Sequence, residues 1–154
     1  EAGVRFVEIG HGGWDMHQNI NDNLKKNATA IDKPIGGLIQ DLKDCGLFED
    51  TIILFGSEFG RTPGIKEGAT GRDHNNGGFS MWMAGGGIKG GQRYGSTDDF
   101  GHKAVEEYSM DMHDLHATIL HLMGIDHSKL TYRYSGRDFR LTDVFGNIQH
   151  QIIA

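Results

Sequence analysis

The stretch Thr51-Ile52-Ile53-Leu54-Phe55 decides the fold expected for this chain. A short, continuous apolar run of this kind is typical of a strand that is buried on both faces, as in a parallel sheet. Val4–Ile9 precedes it as a second β-prone run with alternating apolar side chains. Between the two, the apolar residues of 19–45 recur three and four positions apart, which predicts a helix. Residues 4–55 are therefore expected to form a β–α–β unit with parallel strands.

Further elements follow from the same patterns. Asp32 and Pro34 predict a restart of the helix, and Gly46 predicts its end. After a glycine-rich loop, Phe79–Ala84 is expected to be a strand, and Asp111–Met123 a second helix. No helix fits between Phe55 and Phe79, so the strand near 79–84 is expected to run antiparallel. The predicted fold class is α/β, with a partial doubly wound, mostly parallel sheet flanked by helices.

Length and composition limit the classes of protein. The 154 residues suffice for a single domain, 1–154. Fifteen basic and 21 acidic residues give a net charge of −6 without a basic stripe, which argues against binding to nucleic acid or to an anionic membrane. No apolar run approaches the roughly 20 residues that a membrane-spanning helix needs. The single cysteine, Cys45, excludes an intrachain disulfide.

The first residue is Glu1 rather than methionine, and no signal-peptide pattern follows it. We therefore expect the chain to be the C-terminal part of a longer protein. The N-terminal part of that longer protein would normally cover a sheet edge. Without it the edge is expected to be exposed, which predicts self-association of the chain through that edge.

Side chains able to bind a metal or an anion fall in three loops. Ligands of open α/β sheets bind beyond the carboxyl ends of the strands, and these loops are expected to meet there. Imidazole and carboxylate ligands together suit Zn²⁺, Mn²⁺ or Fe²⁺. The candidates are Asp15 and His17 in the first loop, Glu58 and Arg61 in the second, and Asp73 and His74 in the third.

Each candidate also has a simpler structural explanation. Asp15 and His17 can cap a turn, Arg61 can pair with Glu58 in the absence of a metal, and Asp73 with His74 can be a local hydrogen-bonded pair. His113 and His116 share a helix face and suit a ligand pair. The interpretation favoured for those two histidines is a helix cap region that begins at Asp111.

The spacing of residues argues against two other chemistries. Ser57 directly follows a glycine and does not fit the G-x-S-x-G elbow of serine hydrolases. The glycine-rich run 85–91 lacks the Lys-Ser/Thr pair of a phosphate-binding P-loop.

Several motifs in order resemble one family. They are Gly-Trp-Asp-Met-His at 13–17, Glu-Phe-Gly-Arg-Thr-Pro at 58–63, Gly-Arg-Asp-His at 71–74, the helix 113–124 and the tail 132–141. At these positions the chain resembles the bacterial, sulfatase-like domain-of-unknown-function family fifteen-oh-one, within the alkaline-phosphatase superfamily. The match covers nearly the whole chain.

This resemblance implies a metal-dependent hydrolase of sulfate or phosphate esters, with a small anionic ester as its substrate. The implied metal is zinc in first place, with manganese, iron or calcium as alternatives. It also implies a periplasmic or secreted protein. The implied metal ligands are Asp15, His17, Glu58, Asp73 and His74, and the guanidinium groups of Arg61 and Arg72 suit an anion clamp.

The chain departs from the superfamily pattern at two motifs. Asp15 and His17 are spaced Asp-x-His instead of Asp-x-x-x-His, and Glu58-Phe59 stands where Asp-His is usual. The nucleophile segment, which lies upstream in the superfamily, has no counterpart here. We therefore expect weak metal binding and little turnover from the isolated chain. The alternatives are a non-catalytic scaffold or binding domain of the same fold, and a lyase or isomerase on a related metal site.

Overall fold

The described residues form two helices and three small antiparallel sheets. The computed structural model describes residues 3–105, 107 and 109–154. Among these residues, no helix combines the length and the apolar character that crossing a membrane requires. The helices are α1 (Ile20–Asp44) and α2 (Met112–Leu122), with 3-10 turns at Phe48–Asp50 and His150–Ile152. The strands are β1 (Ile53–Phe55), β2 (Gly60–Arg61), β3 (His74–Asn75), β4 (Trp82–Ala84), β5 (Thr131–Tyr134) and β6 (Arg137–Arg140).

The predicted doubly wound parallel sheet is wrong. The strand pairs are β1–β4, β2–β3 and β5–β6, and the described part of the chain contains no parallel pair. The Val4–Ile9 run joins no strand pair, and its apolar side chains lie in solvent, with Phe6 79% exposed. A parallel sheet needs helices packed on its faces, whereas α1 contains no buried residue and its main element contact is with the Phe48–Asp50 turn. The antiparallel direction predicted for the strand near 79–84 is confirmed by its pairing with β1.

The long helix α1 confirms the prediction for 19–45 with one correction. It continues through Pro34, so the predicted restart at Asp32 and Pro34 is wrong. The loss of one backbone N–H at Pro34 is tolerated within a 25-residue helix. The helix ends at Asp44, and Gly46, with a φ of 69°, follows as the predicted stop. The Gly46 N–H donates to the Lys43 carbonyl (3.1 Å), and the Leu47 N–H donates to the Leu42 carbonyl (2.8 Å), the bonds of a glycine-terminated helix.

The main core lies between α2 and the last residues of the chain. Leu115, Ala117, Leu120 and Ile152 are buried there. Thr118 is fully buried, and its hydroxyl accepts the Gln149 N–H (3.0 Å). These contacts hold the C-terminal segment against α2, and the candidate site lies outside this core.

The N-terminus of α2 is capped as predicted, and the cap provides a test of local stability. The Asp111 carboxylate accepts the His113 N–H (2.8 Å). An Asp111→Ala variant should lower the free energy of unfolding by about 1 kcal/mol, the usual loss for a removed cap. Asp111→Asn should retain most of the wild-type free energy of unfolding, because an amide oxygen can accept the same N–H. Urea denaturation measures both, and an Ala variant as stable as the wild type would contradict the prediction.

The same cap has an expected dependence on pH. The His113 N–H, followed by the His113 side chain, holds the pKa of Asp111 below its ordinary value. Because the folded-state pKa is the lower one, the contribution of the carboxylate is complete above about pH 4 and is lost as the pH falls through the folded-state pKa.

Candidate metal centre

Three side chains from two distant parts of the chain meet at one point. The Asp15 Oδ1 atom lies 3.1 Å from His17 Nε2 and 2.8 Å from His74 Nε2. The two imidazole nitrogens are 3.2 Å apart. Two of the three predicted loops therefore supply donors to one exposed group of a carboxylate and two imidazoles.

Close backbone packing fixes the loop that carries Asp15 and His17. The Arg72 N–H donates to the Met16 carbonyl (3.0 Å), and the Met16 side chain is 4% exposed. Gly71 is buried against the same carbonyl, where an added Cβ would overlap the oxygen of Met16 and the backbone of His17. Only glycine permits this approach, so Gly71 sets the distance between the two loops.

A second set of hydrogen bonds ties the end of this loop to the start of α1. The Asn19 N–H donates to the Thr70 hydroxyl (2.7 Å), and the Ile20 N–H donates to the Thr70 carbonyl (3.1 Å). On the other side of the loop, the Asn27 amide donates to the Gly13 carbonyl (2.7 Å). The loop is therefore held at both ends, and Asp15 and His17 project from a supported backbone.

The β2–β3 pair supplies the third donor and a neighbouring cation. Arg61 and His74 stand directly opposite each other in this antiparallel pair, so their side chains leave the pair on the same face. The Thr62 N–H donates to the Asp73 carbonyl (2.9 Å) and extends the pairing by one bond. The ring of Phe59 lies against that of His74, with centroids 4.3 Å apart.

Asp15 is the electrostatic centre of the cluster. The Arg61 guanidinium lies 2.9 Å from Asp15 Oδ1 and also donates to the Trp14 carbonyl (3.1 Å). The hydrogen bond from His74, followed by that from Arg61, holds the pKa of Asp15 below its ordinary value. The carboxylate is therefore ionised at neutral pH. The partner of Arg61 is Asp15, not Glu58 as the simpler structural explanation proposed.

The donor set has the chemistry and the spacing of a divalent-metal site. One carboxylate oxygen and two imidazole nitrogens are typical ligands of a zinc site that leaves a position open for substrate. With metal–ligand distances of about 2.1 Å, neighbouring ligands of a tetrahedral ion lie about 3.4 Å apart. The three distances found here are 2.8, 3.1 and 3.2 Å. The residues present therefore fit a small divalent ion.

A family model described as "Protein of unknown function (DUF1501)" matches residues 1–153. The chain belongs to the DUF1501 family. The resemblance drawn from the motifs is confirmed at this level. No curated protein and no solved structure gives a significant match.

The other candidate residues of this DUF1501 chain lie around the three-residue group. Glu58 is exposed, accepts the Ser57 hydroxyl (3.2 Å) and is not a member of that group. The Asp73 carboxylate lies 3.1 Å from His17 Nδ1, the ring nitrogen that does not face Asp15. Arg72 donates to the carbonyls of Thr62 (2.9 Å) and Pro63 (2.7 Å). Metal ligation by Glu58 and Asp73, and anion binding by Arg61 and Arg72, stay predictions.

Two features that position the donors in the DUF1501 chain were not predicted from the sequence. The β2–β3 pair has two residues in each strand, too few to show any periodicity. The role of Gly71 was not predicted, because the chain has 24 glycines and few signals distinguish one from another. Its position directly before Arg72-Asp73-His74 is the one signal that marked it.

Proposed function

We propose that this protein binds one divalent metal ion, zinc in first place, through Asp15, His17 and His74, and takes part in the hydrolysis of sulfate or phosphate esters. The observation that carries the proposal is the convergence of three donor atoms within 3.2 Å of one another. Manganese, iron and calcium are the alternative ions. The reaction class rests on the motif resemblance to sulfatase-like hydrolases.

The residues of the chain have distinct roles in this proposal. A bound divalent ion would supply Lewis-acid polarisation of an ester oxygen and lower the pKa of a nucleophile. Asp15 supplies the negative charge, and His17 and His74 supply neutral donors. Arg61 holds the Asp15 carboxylate in place through their 2.9 Å contact. About half of each imidazole is open to solvent (44% for His17 and 47% for His74), which leaves room for a small anionic substrate.

A non-catalytic scaffold or binding domain is the second candidate, and one observation favours it. Asp15 already pairs with Arg61, and His17 already contacts Asp73. These pairs are able to hold the loops together without a metal, so the group can be purely structural. Metal content separates the two candidates.

The proposal predicts near-stoichiometric metal in the purified protein. Protein prepared without chelator or histidine tag should contain about one zinc, manganese, iron or calcium ion per chain by elemental analysis. His74→Ala should lose that metal, whereas His102→Ala, which removes an exposed histidine outside the group, should retain it. Metal-loaded protein is then assayed with aryl sulfate and aryl phosphate.

Each result has a defined meaning. Metal binding with ester turnover that stops on chelation supports the whole proposal. Little turnover is expected from this chain, so metal binding that is accompanied neither by turnover of either ester nor by metal-dependent binding of inorganic sulfate or phosphate contradicts the hydrolase assignment and leaves the metal site. No binding after exposure to each of the four ions contradicts the metal site and favours the scaffold.

A further inference from the structure

The hairpin of β5 and β6 stands apart from the rest of the chain. Its strands are joined by the turn Ser135-Gly136, whose φ angles of 47° and 81° are typical of a tight two-residue turn. Among the described elements, the two strands pack mainly on each other, and almost all their side chains are exposed. A two-stranded hairpin is only marginally stable in water unless a further strand or a helix covers it. In the described part of the chain, no third strand joins this hairpin.

The outer edge of β6 is open to pairing. Tyr134 and Arg137 flank the two-residue turn, so they exchange hydrogen bonds across the hairpin. Because these bonds alternate along an antiparallel pair, the N–H and C=O groups of Asp138 and Arg140 point away from β5. The Arg140 carbonyl accepts the Asp143 N–H (3.1 Å) and keeps a second lone pair. An edge of this kind is a template for a strand of another chain.

We propose that β6 pairs with the β6 strand of a second copy of this chain, in antiparallel direction and centred on Phe139. The two copies are then related by a two-fold axis, and every contact of one copy is repeated in the other. In this register, Arg140 of each copy lies directly opposite Asp138 of the other, and Phe139 lies opposite its own counterpart. The pairing involves none of the metal donors and does not depend on the proposed function.

The charges of β6 favour this register over its neighbours. A pair centred on Asp138 would place two carboxylates opposite each other, and one centred on Arg140 would do the same with two guanidinium groups. Like charges in that position destabilise a strand pair. Within the hairpin, Asp138 already lies 3.0 Å from Arg133, whereas Arg140 stands opposite Thr131 and forms no ion pair with a described residue. The second copy therefore supplies the carboxylate that Arg140 lacks.

The aromatic side chains of the hairpin favour the same pairing. Tyr132 and Phe139 stand directly opposite each other in the hairpin, so they share one face of it. Tyr132 is 72% exposed. Pairing through β6 makes a four-stranded sheet and extends this row to four aromatic side chains, two from each copy. Contact between aromatic rings adds to the stability gained from the area that they bury.

The chain leaves enough surface uncovered for an interface of this kind. Its accessible surface is 11503 Å², whereas a compact monomer of 17.0 kDa exposes about 7,700 Å². An interface of standard size buries about 800 Å² on each partner. The excess is several times that area, and the exposed face of the hairpin is part of it.

Light scattering coupled to gel filtration tests the proposal on the full chain. Over a wide range of concentration, the wild type should reach twice the chain mass of 17.0 kDa. Arg140→Glu places two pairs of like charges across the axis, so its dissociation constant should rise at least about 100-fold. Lys25→Glu changes the net charge equally at an exposed position of α1 and should dimerise like the wild type. A wild type that is monomeric at every concentration would overturn the proposal.

A second variant separates the register from general effects on folding. Arg133→Glu combined with Asp138→Lys keeps the ion pair inside the hairpin with its signs exchanged, but it opposes Arg140 of another copy with a cation. This double variant should be monomeric alone. Mixed with Arg140→Glu, it should form a heterodimer, because both charge pairs across the axis then have opposite signs. A mixture that stays monomeric although both variants are folded would refute the register.

Hydrogen exchange tests the wild type without requiring any variant to fold. The N–H groups of Asp138 and Arg140 should exchange slowly in the dimer and faster after dilution to the monomer. Rapid exchange of both groups in the dimer would contradict the proposal. The Val4–Ile9 run is another exposed, β-prone segment. A dimer that dissociates in Val7→Lys but persists in Arg140→Glu would place the contact there and also refute the pairing through β6.

Discussion

An Asp15→Ala variant is expected to bind zinc more than about 100-fold more weakly than the wild type. Asp15 Oδ1 is the only anionic atom of the three-donor group and contacts both imidazoles. Its removal also releases Arg61, whose guanidinium would then present an unpaired positive charge to the site and repel a cation. The decrease in zinc affinity should therefore exceed the roughly 10- to 100-fold decrease that is typical when a residue hydrogen-bonded to a metal ligand is removed. Isothermal calorimetry with zinc measures it.

Two further variants make the result specific. Asp15→Asn retains the size of the side chain and the hydrogen bond from Arg61 but removes the charge, so it should also bind weakly. His102→Ala should match the wild type, since His102 lies outside the group. Unchanged zinc affinity in Asp15→Ala would mean that the metal lies elsewhere or that no specific site exists.

Gly71→Ala is expected to damage the site without changing any donor. The new methyl group would overlap the Met16 carbonyl and the backbone of His17, and backbone cannot move aside as a flexible side chain can. Overpacking of this kind typically lowers the free energy of unfolding by about 1–3 kcal/mol. The loop with Asp15 and His17 must then move away from His74. Zinc affinity should therefore also fall at least about 10-fold, an effect as large as that of removing a residue that hydrogen-bonds to a metal ligand.

Gly64→Ala is the matched control for this variant. An added Cβ at Gly64 meets no atom within 4 Å, so stability should rise slightly or stay the same. Thermal unfolding and zinc calorimetry of both variants give the comparison. If Gly71→Ala unfolds and binds zinc like the wild type, Gly71 does not set the distance between the loops.

Local signals explain which parts of the fold the sequence predicted. The helix pattern of 19–45 and the cap at Asp111 depend on neighbours within a few residues, and both are present in the structure. The Thr51–Phe55 run indicated a buried strand and, on that ground, a parallel neighbour, but a five-residue run does not identify the segment that pairs with it. The chain pairs Ile53 with Ala84 instead of with the Val4–Ile9 run. Strand pairing is non-local, and this is where the prediction failed.

The candidate site shows the same contrast between local features, which the sequence predicted, and non-local contacts, which it did not. The residue types of Asp15, His17 and His74 marked them as donors, and the structure places them together. The predicted route, a common edge of one parallel sheet, was wrong, since the β2–β3 pair and the contact at Gly71 bring them together. The partner of Arg61 was also not predictable, because it lies 46 positions away in sequence, from Arg61 back to Asp15.

The hydrogen bonds of Arg72 have a consequence for how this region can vary. They join Arg72 to the carbonyls of Thr62 and Pro63 and so close a loop whose outer part, 64–69, supplies none of the three donor atoms. Gly64 and Gly68 stand in open space there. Lengthening such a loop costs only about 0.6 kcal/mol for each doubling of its length. The outer part is therefore a natural point of insertion, where evolution or an engineer can add new specificity beside the donors without rebuilding them.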